Sequence, residues 1–118
     1  MRERIRDRER LEHILRAIDE LLAGRNRFSP DEAGSNPIIY FGFVKLVEII
    51  GEAVYKLSLE FKQAHPEVEW GTIESMRHVL VHGYYQIKPE QLWDTLNYDL
   101  PQLRPFIAKY IEEETASH

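Results

Sequence analysis

Between Phe41 and Phe61 an apolar residue recurs every three or four positions: Phe41, Val44, Val47, Ile50, Val54, Leu57 and Phe61. A strand alternates with a period of two, so this spacing admits a helix and excludes a strand. Leu46, Ile49 and Ala53 widen the stripe beyond one face, so more than one neighbour is needed to cover it. The pattern predicts a helix from about Pro37 to Ala64, because Pro37 suits a first turn and Pro66 forbids continuation. Gly42 and Gly51 each cost such a helix about 1 kcal/mol relative to alanine. Gly51, well inside it, fits a close helix crossing.

The same period recurs elsewhere. Leu11, Ile14, Leu15, Ile18, Leu21 and Leu22 predict an amphipathic first helix with Gly24 as its stop. Gly24 to Pro37 reads as a mobile linker with one helical turn capped by Ser29, and its Arg25 and Arg27 are available to RNA or a partner. A third helix is predicted from about Thr72 to His82, with Ile73, Met76, Val79 and Leu80 inward and Gly83 closing it. A fourth starts at Pro89 and carries Leu92, Trp93 and Leu96; the segment from Pro101 adds Leu103, Phe106, Ile107 and Tyr110. No stretch alternates as a strand does. The expected fold is all-α: one domain over residues 1–118, an up-and-down bundle of four to five helices, frayed at 1–7 and 112–118. Trp70 and Trp93 are expected as packing residues, and His13 and His65 as solvated ones.

Composition narrows the function. The chain has no cysteine and no apolar run near 20 residues, so disulfides, thiolate chemistry and a membrane span are excluded and a cytoplasmic protein is expected. The N-terminal MRERIRDRERLEH lacks the apolar region of a secretory signal. Its arginines recur with period two, which scatters them around a helix, and Glu3, Asp7 and Glu9 offset them. The net charge of −5 argues against a broad electrostatic grip on nucleic acid. Any contact with RNA must go through a small local site.

The segment MRHVLVHGYY, Met76 to Tyr85, offers one. On an uninterrupted α-helix Arg77 and His82 stand about 140° apart and about 7.5 Å along the axis, too far apart for one narrow core face. Both therefore point to solvent or to a seam with another surface. The set is one fixed cation, His78 and His82 titrating near neutrality, and the Tyr84 phenol. His78 and His82 have the spacing of two metal ligands, but no HExxH-like glutamate completes a site, so neither metal nor cofactor is expected. Arginine plus histidine suits RNA phosphodiester cleavage. The ribose supplies the 2′-OH nucleophile, a histidine moves protons, and an arginine holds the phosphate as charge builds on it.

Arg77, four residues, His82, one residue and Tyr84 match the RX4HXY motif, and the chain here resembles the HEPN-domain toxins, particularly the HepT branch. Ile49-Ile50-Gly51-Glu52-Ala53 resembles the family's IGEA segment, and Leu92-Trp93-Asp94-Thr95 and Tyr98-Asp99-Leu100-Pro101 resemble its following helix. The resemblance implies a metal-independent endoribonuclease whose motif helices meet in a homodimer, with the long second helix supplying much of the contact. It implies Arg77 on the scissile phosphate, His82 as acid/base, His78 in support and Glu52 orienting the arginine. It also implies a type VII-like toxin–antitoxin pair, in which a nucleotidyltransferase antitoxin adenylylates Tyr84. The alternative is a catalytically inactive helical module that binds a nucleotide or partners the nucleotidyltransferase.

Overall fold

Helix α1 (Arg2–Arg27) lies against α3 (Pro37–Lys56) on one side and α7 (Leu100–Ala116) on the other. The computed structural model describes the backbone of residues 2–78 and 89–116, with side chains for 6–76 and 90–116. The shorter elements are α2 (Pro30–Ser35), α4 (Leu59–Ala64), α5 (Trp70–Glu74), a 3-10 turn (Ser75–His78), α6 (Pro89–Asp94) and a π turn (Thr95–Asp99). The all-α expectation holds. The core is the predicted stripes meeting: Leu11, Ile14 and Ile18 of α1, Val44 and Ile50 of α3, and Leu96, Leu100 and Ile107 of the C-terminal rod are all sealed from solvent. Arg104 clamps Asp19 with Nε and Nη2, at 2.6 and 3.1 Å, and staples α7 to α1 at the surface. Among the described residues no helix is long and apolar enough to cross a membrane.

Helix ends differ from the sequence expectation in four places, each for a physical reason. α1 reaches back to Arg2, with Asp7 only 4% exposed, and runs forward through Gly24 to Arg27. Gly24 does not stop the helix; it lets Phe43 approach. A Cβ there would stand 2.9 Å from Phe43 Cε1. That ring cannot easily yield, because it meets Phe28 and Trp93 edge-on at 6.3 and 5.7 Å. Gly24→Ala gains about 1 kcal/mol of helix propensity but overpacks at a cost of about 1–3 kcal/mol. The variant is expected to lose about 1 kcal/mol in urea unfolding; a stability equal to wild type would show that the ring moves.

The stretch from Gly24 to Pro37 is not a linker. Ser29 and Glu32 form a reciprocal capping box, with Ser29 Oγ accepting from the Glu32 amide at 3.1 Å and Glu32 Oε1 accepting from the Ser29 amide at 2.9 Å. The capping role expected of Ser29 is thus present. Asn36 then caps α3 by accepting from the Ile38 amide at 2.9 Å.

The long second helix breaks at Leu57-Ser58, both extended with ψ of 144° and 150°. Ser58 caps α4 by accepting from the Phe61 amide at 3.1 Å, while Asp7 accepts from the Ser58 amide at 2.8 Å and its hydroxyl at 2.6 Å.

The last two predicted segments are one rod. Asp94 and Leu100, on either side of the π turn, keep helical dihedrals. The Leu100 amide bonds to the Thr95 carbonyl five residues back, and Pro101 has no amide to give. The Leu96 carbonyl therefore loses both its four-back and five-back donors. Arg25 Nη1 supplies the missing bond at 3.2 Å, so this arginine has a structural partner within the chain.

Candidate active site

The 3-10 turn that carries Arg77 and His78 follows α5 directly and packs on α3. Two anchors fix α5 upstream of it. Trp70, 6% exposed, opens the helix and donates from Nε1 to the His65 carbonyl at 2.9 Å. Lys62 of α4 pairs with Glu74 at 2.5 Å and reaches the Val54 carbonyl at the end of α3 at 3.3 Å. Glu74 stands three residues before Arg77, so α3 and α5 meet at the turn that delivers the arginine, and α4 braces them through Lys62.

A 3-10 turn advances about 120° and 2.0 Å per residue. The separation of Arg77 from His82 expected on an uninterrupted α-helix therefore does not apply at the start of the segment, which is not α-helical over Ser75–His78. The side chains of Arg77 and His78, and the whole of His82, Gly83, Tyr84 and Tyr85, lie outside the described residues, as does the expected helix end at His82. Glu52 is on α3 and half-exposed, with Oε1 3.9 Å from Lys56 Nζ. Such a surface pair is worth a few tenths of a kcal/mol and does not commit the carboxylate. Among the described residues no three His, Asp or Glu side chains converge as a metal-ligand set.

His13 is exposed, but His65 is not the solvated residue the sequence suggested. Its ring packs 4.5 Å from Phe61 and 4.0 Å from Tyr110. The Tyr110 hydroxyl donates to Glu67 Oε2, which also stands 3.6 Å from His65 Nδ1. The phenol's hydrogen bond holds the Glu67 carboxyl below the usual carboxylate range. Burial, then the carboxylate itself, pushes the Tyr110 phenol up. Both shifts favour the folded state between the two titrations. A depressed carboxyl gives stability that is present above its unfolded value of about 4.3 and is lost as pH falls through the folded value. A raised phenol gives stability that is present below about 10 and is lost as pH rises further. Tyr110→Phe is therefore expected to be less stable than wild type by a constant margin across neutral pH. The margin should shrink below about pH 4 as Glu67 protonates. Urea titrations at several pH values would show it; a margin independent of pH down to about 2 would remove Glu67 from the account.

The Ribonuclease HepT-like family model matches residues 11–110, a span that contains Arg77, His78, His82 and Tyr84. The chain belongs to the HepT-like ribonuclease family. A provisionally named RNase of Caldanaerobacter subterraneus subsp. tengcongensis is 33% identical over 88% of this chain and 93% of its own length. Another provisionally named RNase, from Methanocaldococcus jannaschii, is 26% identical over 85% of this chain and 83% of its own. A Thermococcus cleftensis protein provisionally named ribonuclease HepT is 38% identical over 54% of this chain and 58% of its own. No solved structure matches the chain significantly.

Proposed function

We propose that this chain is a metal-independent endoribonuclease, the toxin of a type VII-like toxin–antitoxin pair. One observation carries the reading: a ribonuclease family match runs through the whole RX4HXY motif, and Arg77, His82 and Tyr84 are all present in it. In the proposed reaction His82 takes the proton of a ribose 2′-OH or returns one to the leaving 5′-oxygen. The 2′-oxygen bonds to phosphorus as the 5′-oxygen leaves, giving a 2′,3′-cyclic phosphate and a new 5′-OH. Arg77 holds the non-bridging oxygens bidentately as their charge grows. His78 supports this pocket with a further polar group, and Glu52 orients Arg77 from α3, the helix against which the motif turn packs.

The site is completed by a second copy, so that one histidine can act as base while its twin acts as acid. The outer side of α3 supports this reading: Ile38 is 84% exposed, Ile49 is 36% exposed, and among the described residues nothing stands within 4 Å of a Cβ built on Gly42. A helix with that face is suited to a partner. Neutralisation follows from the Tyr84 phenol attacking the α-phosphate of ATP in a nucleotidyltransferase antitoxin, with pyrophosphate leaving. The attached AMP then places a phosphate and a base where RNA must bind.

The test is cleavage of RNA by purified protein in EDTA, with analysis of product ends and of the mass at Tyr84. Cyclic phosphate ends from unmodified protein support the mechanism. Unmodified, dimeric and inactive protein would sink it in favour of an interaction module.

A further inference from the structure

A groove of about 420 Å³ opens between α5 and the start of α7, beside the turn that carries Arg77. Its floor is apolar, built from Ile73, Met76, Leu103 and Phe106, and Phe106 is 38% exposed. Its edge carries Glu67, Glu69 and Asp99, and among the described residues no lysine or arginine lines it. Glu67 is engaged by Tyr110. Glu69 and Asp99 are exposed, and neither has a cation paired to it among the described residues.

That combination disfavours RNA and favours protein. A phosphodiester strand laid in the groove would set its charges against these carboxylates, and among the described lining residues no cation stands between them. A polypeptide that presents an aliphatic side chain flanked by arginine or lysine meets both halves of the surface. Its apolar tip covers Leu103 and Phe106, and its cations pair with Glu69 and Asp99. A guanidinium over the Phe106 ring adds to the fit. We propose that this groove is the docking site for a cationic, apolar-tipped segment of the protein that silences the toxin. The inference rests on the toxin–antitoxin reading above. It adds a division of surfaces: the partner grips beside the motif through carboxylates, and RNA enters from another side.

The probe is a purified minimal nucleotidyltransferase of the antitoxin class that the proposed pairing implies, titrated against the full-length protein at low and moderate salt. Glu69→Lys with Asp99→Lys is expected to weaken binding at least about tenfold and to flatten its salt dependence. Phe106→Ser should weaken it at constant salt slope. Glu12→Lys with Glu20→Lys, in a separate groove between α1 and α7, is expected to bind within about twofold of wild type. Circular dichroism checks that each variant keeps its helices. If the groove variants bind like wild type, the groove is not the docking site, while the pairing stands. If wild type does not bind the nucleotidyltransferase at all, the pairing fails and the groove with it. If Phe106→Ser weakens RNA binding but not partner binding, RNA occupies the groove and the proposal is overturned.

Discussion

Arg77→Ala and His82→Ala are each expected to slow single-turnover RNA cleavage in EDTA by at least about 100-fold, with their helical spectra and unfolding midpoints near those of wild type. Arg77 is asked to do two things: to bind the phosphate through two parallel N–H donors and to stabilise charge that exists only in the transition state. A lysine keeps the charge but loses the fork, so Arg77→Lys should fall between wild type and alanine. His82→Gln keeps a hydrogen-bonding group of similar reach but cannot shuttle a proton, so it should fall near His82→Ala. The double alanine variant should be little worse than either single one, because two residues acting on one phosphate do not contribute additively. Product ends carry independent weight. Cyclic phosphate ends from wild type, absent in both alanine variants, tie the chemistry to this pair. Cleavage at wild-type rates in either variant would remove that residue from the mechanism.

Local rules were readable in the sequence, and long-range ones were not. The stripes on α1, α3 and the C-terminal rod follow directly from helical spacing, and the Ser29 capping box needs only a serine and a glutamate three residues apart. The break at Leu57-Ser58 has no local signal, because the apolar period runs straight through it. Its cause is Asp7, 51 residues away. The π turn leaves one trace, Pro101, but a proline there also permits a fresh helix start, and sequence alone favours that simpler choice. His65 reads as a surface residue because its partners, Phe61 and Tyr110, converge only after α4 and α7 are in place. The candidate site was legible as a motif because its chemistry is written in residue types at fixed spacing. Its geometry was not, since α-helical spacing cannot announce a 3-10 turn at Ser75–His78.

Asp7→Ala is expected to cost about 3 kcal/mol in urea unfolding, a large share of what a domain of this size has. Asp7 is 4% exposed and takes both donors of Ser58, the residue that ends α3 in extended backbone and caps α4. Its removal leaves a half-buried amide and hydroxyl without their acceptor and frees the corner between the two helices. Asp7→Asn keeps one carbonyl oxygen for the Ser58 amide and should cost about 1 kcal/mol. Ser58→Ala removes the cap and one of the two bonds and should cost about 2 kcal/mol. The double alanine variant should be less destabilised than the sum of the singles, since both act on one contact. The effect should reach the candidate site. α4 carries Lys62, Lys62 holds Glu74, and Glu74 precedes Arg77 by three residues. Loosening the corner therefore lowers cleavage at temperatures well below global unfolding, whereas Gly24→Ala, at the far end of α1, should not. If Asp7→Ala stays within about 0.5 kcal/mol of wild type, the α3–α4 corner is held by its apolar contacts alone and the route from Asp7 to Arg77 is lost.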